Sequence, residues 1–442
     1  MNVTLKRSLG WQRESRRLGG ESVFRAIVAW LGSIAALVTG IPAAAITPAT
    51  LTDTQLRETP AQLVSIDEGV VSLYDASGVL RQRDADEIVM LRFQSAPTST
   101  ETNDDPWVLT LTDGQHWVGV PAAPLGTADN ETLRWTHATL GTIAVSLETV
   151  QSIERLSDAK ESKARRAWDN HAEPPPSDDF VKLRNCDTLT GFIAALDDQG
   201  ITLETDTGDV PLTWDNLAAV RLANPSQNEL TDADVLALRD GSRVHLRGVR
   251  LDETQIEVTP TLLAETLGIP EQSAVDEEAR RVLPIVDAES LAFAASGFRL
   301  IDLTTFEPNV ISGESFGLSF PPKLTFNPNP SGAWQAWVHA PTTLRFDVPA
   351  GFTATRLAGR ATLDLPERVD PTARALADAT LVVADDSADV LTRPLQPGVA
   401  WPFRVPLDCS RFELRVEPGP NGPALDRVRF DRLRLLIQRE DD

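Results

Sequence analysis

Hydrophobic and polar residues alternate with period two through much of residues 49–294, the spacing that turns one face of a strand toward a core and the other toward water. Residues 108–120 read VLTLTDGQHWVGV, two alternating runs on either side of Asp113-Gly114, a dipeptide suited to a tight hairpin turn. The template returns at 180–193, FVKLRNCDTLTGFI, with Asn185-Cys186 at the turn, and at 235–249, VLALRDGSRVHLRGV, with Asp240-Gly241. A second alternating run follows each turn, at 132–135, 201–204 and 255–258, and each copy closes on a short apolar segment, at 150–153, 217–220 and 288–292. A more diverged copy covers 49–91. Four copies at a period of roughly 50–70 residues predict internal duplication. About five short strands per copy predict a small, curled, barrel-like sheet, because curling closes edges that would otherwise pair with other chains.

The segments outside this pattern set the expected boundaries. Residues 1–25 carry Lys6, Arg7, Arg13, Arg16, Arg17 and Arg25 against Glu14 and Glu21. Residues 26–41 then read AIVAWLGSIAALVTGI without a charge, and Pro42-Ala43-Ala44-Ala45 supplies small residues for cleavage. Residues 1–45 therefore read as a signal peptide, with an uncleaved anchor as the alternative. Two degenerate repeat units are expected over 46–156, a charged, proline-containing linker over 157–178, and two further units over 179–294. Residues 263–281 in the fourth unit read as an inserted helix with an acidic, solvated face. From 295 to 440 short apolar runs lie between Pro, Gly and Asn turns with no helical period, which predicts a β-sandwich. The five-strand repeats resemble the Sm-like small barrels of secreted multidomain bacterial proteins. That family binds RNA through basic and aromatic loop positions, and this region has no basic excess, so the resemblance implies strand order and no RNA site.

Charge narrows the partners. Sixty-four acidic residues face 41 Lys and Arg, a formal charge of -23. Loss of six basic and two acidic residues with the signal lowers this by four to -27. Such a surface repels a phosphate backbone and anionic lipid, so nucleic acid is excluded as a partner. It also favours neutral, hydroxyl-rich glycans over acidic ones. Two cysteines, Cys186 and Cys409, exclude a disulfide framework and a four-cysteine zinc site and leave one bridge to be tested. His116, His137, His171, His245 and His339 have no metal-ligand spacing and read as surface or satisfied core residues, so no metal or other cofactor is expected. Gly313-Glu314-Ser315-Phe316-Gly317 matches a nucleophile-elbow pattern, but Pro321-Pro322 follows where that elbow needs a helix. The chain is expected to be no enzyme.

The last third carries the functional signal. Residues 334–348, WQAWVHAPTTLRFDV, combine Trp334, Trp337 and His339 with a turn at Ala340-Pro341. In an extended strand Trp337 and His339 share one face and Trp334 takes the other; the alternative is that one or both Trp fill the core. Asp385, Asp386 and Asp389 mark a hairpin turn without calcium-loop spacing. His339-Ala340-Pro341, Leu414, Arg415, Val416, Gly422, Asp426 and Phe430-Asp431 together resemble the NPCBM-like module, a carbohydrate-binding sandwich of the galactose-binding-like class. The sequence has Arg427-Val428-Arg429-Phe430 where that family tends toward a Trp-centred ending. The resemblance implies an all-β chain in which tandem barrel-like repeats precede a galactose-binding-like jelly-roll β-sandwich. It implies carbohydrate, in particular polysaccharide, as the partner. The expected sugar contacts are Trp334, Trp337, His339 and Asp386, since a sugar needs an aromatic face and polar groups for its hydroxyls. The location expected is secreted, periplasmic or cell-envelope, with no membrane span after cleavage. The alternative is an envelope protein whose repeats make protein contacts without sugar.

Overall fold

Strand alternation, with inward side chains buried and outward ones wet, recurs along the whole structure. This computed structural model describes residues 47–94, 106–123, 132–156, 178–225, 233–252, 254–262, 280–303, 309–312, 325–328, 334–365, 376–421 and 426–440. The expected signal peptide, and all but the ends of the expected linker and helical insertion, lie outside these residues. Arg281, placed at the end of that helix, instead opens a strand, because it pairs with Val258 across an antiparallel ladder.

The chain is all-β. Unit I comprises β1 (Thr47–Asp53), β2 (Glu58–Asp67), β3 (Val70–Tyr74), β4 (Leu80–Asp84) and β5 (Ile88–Phe93). Unit II comprises β6 (Trp107–Leu111), β7 (His116–Pro121), β8 (Thr132–His137), β9 (Gly141–Ser146) and β10 (Val150–Arg155). Unit III comprises β11 (Asp179–Leu183), β12 (Thr188–Leu196), β13 (Gly200–Thr205), β14 (Gly208–Thr213) and β15 (Leu217–Arg221). Unit IV comprises β16 (Asp234–Leu238), β17 (Arg243–Asp252), β18 (Gln255–Pro260), β19 (Arg281–Pro284) and β20 (Ala288–Ala292). In every unit a single 3-10 turn precedes the fifth strand, and that strand folds back onto the first. The second strand pairs with the first along its early half and with the third along its late half. The bend in unit II requires Gly119, where a Cβ would collide with the Thr136 carbonyl.

The units associate through their fifth strands. β5 pairs with β20 and β10 with β15, both antiparallel, so unit I joins IV and unit II joins III. Leu91 sits opposite Leu291 and Ile153 opposite Val220, all fully buried, in one continuous core. Units II and IV meet through a reciprocal polar contact at their hairpin turns. Gln115 Oε1 accepts the His245 amide (3.1 Å) and Ser242 Oγ accepts the Val118 amide (2.9 Å). His137 Nε2 lies 2.9 Å from Asp240, and His245 Nδ1 lies 3.4 Å from Asp113.

The C-terminal third is a jelly-roll β-sandwich. Its first sheet contains β21 (Phe298–Asp302), β23 (Thr325–Pro328), β24 (Trp334–His339), β26 (Phe352–Leu363), β29 (Ala400–Cys409) and β31 (Arg427–Arg439). The second contains β22 (Asn309–Ser312), β25 (Thr342–Asp347), β27 (Ala379–Asp385), β28 (Asp389–Leu395) and β30 (Arg411–Pro418). Ala336, Val338, Phe430 and Leu363 face Phe346, Phe412, Leu414 and Leu381 across the core. Leu56 and Val89 of unit I pack on Leu436, which seats unit I against the outer side of the first sheet. Cys409 is buried in the sandwich and Cys186 is exposed on a unit III turn; both are free thiols.

The turn contacts between units II and IV predict an acid response. Burial would raise the Asp113 and Asp240 carboxyls, but hydrogen bonds and charge from His245 and His137 hold both below the ordinary 3.8. A lowered carboxyl stabilises the fold above its unfolded value and loses that contribution as pH falls through the folded one. Asp240→Asn is expected to cost about 1–2 kcal/mol at pH 7 and to flatten the loss of stability below pH 4, as read by urea denaturation across that range. An unchanged acid slope contradicts this.

Candidate functional site

The outward face of the first sandwich sheet is polar where its inward face is apolar. In β24 and the residue after it, Ala336, Val338 and Ala340 are buried while Gln335, Trp337 and His339 point outward. β31 puts Arg427, Arg429 and Asp431 directly opposite His339, Trp337 and Gln335. β26, on the other side of β31, adds Thr362 beside Arg429, and Asp364 follows at its end.

These side chains are tied together. The Trp337 indole N–H donates to Asp364 Oδ2 at 3.0 Å, and the Arg427 guanidinium lies over one face of its ring, 5.3 Å from the centroid. Arg429 bridges Asp364 (3.7 Å) and Asp431 (3.3 Å), and Gln335 donates to Asp431 at 2.5 Å. Beneath the row, Thr362 is 4% exposed and its hydroxyl has no hydrogen-bond partner among the described residues. The result is an aromatic ring held in fixed orientation within a ring of charged donors and acceptors, on strands rather than on a loop.

The predicted residues divide accordingly. Trp337 and His339 share the outer face, as strand alternation requires. Trp334 opens the same strand, and its side chain lies outside the described residues. His339 is exposed and donates from Nδ1 to the Ala340 carbonyl at 2.8 Å. Asp386 is not brought to this face. It follows β27 on the second sheet, near Cys409 and Arg411. The other end of β27 begins at Ala379, next to Asp378 and Asp426, so Asp386 lies roughly 20 Å away along the strand. The Asp385 carboxylate there accepts the Ser387 and Ala388 amides, and Asp389 pairs with Arg415. This turn is closed by its own side chains. The expected sugar contacts did not include Asp364, Arg429, Asp431 or Gln335, although the period-two pattern of residues 427–431 places Arg427, Arg429 and Asp431 on one face. The Ser315 motif lies outside the described residues.

A second polar feature lies behind His339. Asp426 is fully buried, accepts the Asp378 amide at 3.2 Å, and its Oδ2 has no hydrogen-bond partner among the described residues. Burial pushes its carboxyl up to about 6, with the Asp378 carboxylate adding to the effect.

No family model and no curated protein matches the chain. Among solved structures, the CBM51 domain of GH95 from Clostridium perfringens, in complex with methyl-galactose, is 12% identical, with 31% of this chain and 99% of that one covered and a TM-score of 0.23. CBM51-2 with the INT domains of Clostridium perfringens ZmpB, in complex with GlcNAc, is 8% identical over 54% of this chain and 44% of that one, TM-score 0.23. The CBM22-1 xylan-binding domain of Paenibacillus barcinonensis Xyn10C is 10% identical over 27% and 83%, TM-score 0.19. At these scores the likenesses assign no residue and no ligand to this chain.

Two outcomes follow from the geometry. Trp337→Ala, on the outer face, should cost under about 1.5 kcal/mol, whereas Phe430→Ala, one residue along the facing strand and fully buried, should cost about 3–5 kcal/mol in urea denaturation. Equal losses would place Trp337 in the core. For Asp426 the folded value lies above the unfolded 3.8, so the folded state holds its proton more tightly and stability declines as pH climbs from about 4 to about 6. Asp426→Asn should therefore gain about 1–3 kcal/mol on wild type between pH 4 and pH 7; a difference that does not change with pH refutes the assignment.

Proposed function

We propose that the outer face around Trp337 binds carbohydrate and that the chain is an exported, non-catalytic glycan-binding protein whose four barrel-like units serve as a scaffold. One observation carries the reading: Trp337 is oriented by Asp364 and Arg427 and set among Gln335, Arg429 and Asp431. A sugar ring offers one C–H-rich face and a rim of hydroxyls, and such a site answers both at once. The indole takes the C–H-rich face of the ring, and the carboxylate, amide and guanidinium groups take the hydroxyls. The NPCBM-like resemblance of the last third and the signal-like residues 1–45 support this assignment. Among the described residues no helix is long and apolar enough to cross a membrane. The Sm-like resemblance of the units is read as kinship of strand order alone.

The test is a glycan array and affinity electrophoresis with the full chain. At least one glycan should be retained, and Trp337→Ala and Asp364→Ala should each weaken it at least tenfold, about 1.4 kcal/mol, with folding preserved. A folded wild-type chain that retains no glycan, or a Trp337→Ala chain that binds as wild type does, overturns the proposal.

A further inference from the structure

The same outer face continues along β31 into a cleft with an unexpected charge. Between Asp431, which pairs with Arg360, and Arg434, which pairs with Ala358, β31 carries two residues against the single Gly359 of β26. This is a β-bulge, and Arg432 within it takes a left-handed φ of 54°. The bulge turns Arg432 outward beside Arg434. Arg404 of β29 and Arg360 of β26 complete the wall, while the turn of unit I closes the far side with Leu56 and Glu58. The cleft has a volume of about 210 Å³. Four guanidinium groups and one carboxylate line it, in a chain whose formal charge is -23.

The cleft already holds one carboxylate. Glu58 is paired with both Arg434 and Arg432. Burial would raise its carboxyl, but the Arg434 and Arg432 guanidinium groups beside it hold it below the ordinary range. Behind it Arg92, part-buried near Glu289, Glu58 and Arg434, has its Nε without a hydrogen-bond partner among the described residues. Arg404 gives one N–H to the Leu56 carbonyl at 3.0 Å. Arg360 is exposed at the mouth and makes no hydrogen bond or ion pair among the described residues. Among the residues lining the cleft, one carboxylate faces four guanidinium groups, each with five donors in a fork that fits carboxylate or sulfate oxygens, and Asp431 stands opposite Arg360 at its edge.

Resting on the reading of the Trp337 face, we infer that the ligand is an acidic glycan whose carboxylate or sulfate group sits in this arginine cleft. Arg360 lies two residues from Thr362 on β26, and Arg434 five residues from Arg429 on β31, so cleft and indole are separated by roughly 15 Å along one sheet face. An oligosaccharide stacked on Trp337 and running toward unit I brings its next residues to the cleft. The pairing of a cationic pocket with a strongly acidic body also predicts that binding is sensitive to salt.

The experiment is calorimetric titration of the full chain with four probes: a galacturonate hexamer, a sulfated galactan hexamer, a neutral galactan hexamer and sodium sulfate. At low salt at least one acidic hexamer should bind tenfold or more tightly than the neutral one, with the stronger of the two identifying carboxylate or sulfate as the occupant. That margin should shrink at 0.5 M NaCl, and sodium sulfate should compete with the acidic hexamer. Arg360→Ala, which removes no contact holding the fold, should abolish the margin and leave neutral binding unchanged, and Arg360→Lys should restore part of it. If acidic and neutral hexamers bind alike, or if Arg360→Ala keeps the margin, the cleft inference is wrong while the Trp337 face stands. If sulfate binds but no hexamer does, or if nothing binds, the acidic-glycan inference is wrong, and the reading of the Trp337 face is decided by the glycan array alone.

Discussion

The pairing of Phe352–Leu363 with Arg427–Arg439 is the constraint on which the C-terminal half depends. These are the two longest strands among the described residues, and they form the centre of one sandwich sheet. Their ladder is interrupted opposite Gly359, where a Cβ would meet Leu433 at 2.8 Å and Phe403 at 3.0 Å, and the extra residue forms a bulge at Arg432. One extra residue reverses which side chains point outward, so Leu433, Leu435 and Ile437 continue the core while Arg432, Arg434 and Leu436 continue the outer face. Without it the arginines would point into an apolar interior. The bulge thus separates three zones along one face: the Trp337 row, the arginine cleft, and the apolar seat of unit I on Leu436.

The repeats place that seat. Each small unit alone buries little apolar surface, and a domain of this size is marginal without partners. Joining fifth strands in pairs extends each sheet across two units and merges four small cores into one. The nested order, first with fourth and second with third, brings both ends of the repeat region together in space. Unit I, next to unit IV, is then in position to cover the sandwich sheet that follows unit IV in the chain. The reciprocal Gln115 and Ser242 contacts, the two His–Asp pairs and the Arg243–His116 bridge hold units II and IV in register.

Local pattern made much of this legible. The Asp113-Gly114 and Asp240-Gly241 turns, the alternating runs and the short closing strands follow from period-two spacing, which is a property of neighbouring residues. The same rule put Trp337 and His339 on one face. What was not legible depends on residues far apart in sequence. Asp386, expected as a polar sugar contact, lies away from Trp337 because which end of a sandwich a turn occupies is decided by sheet order, here β27 beside β30 on the opposite sheet. His137 pairs with Asp240 across 103 positions, which no local pattern carries. A net charge of -23 carries no information on where charges gather, and strand pairing brings Arg360, Arg404, Arg432 and Arg434 around Glu58.

The central claim is that one continuous outer face, from the indole to the cleft, is the binding surface. Hydrogen–deuterium exchange of the full chain, with and without a saturating glycan identified on the array, tests it most directly. The account predicts slowed exchange in residues 334–339, 360–364 and 427–434 and none in the turn at 385–389. Protection confined to that turn, or spread over the repeats with residues 334–339 unchanged, would contradict it.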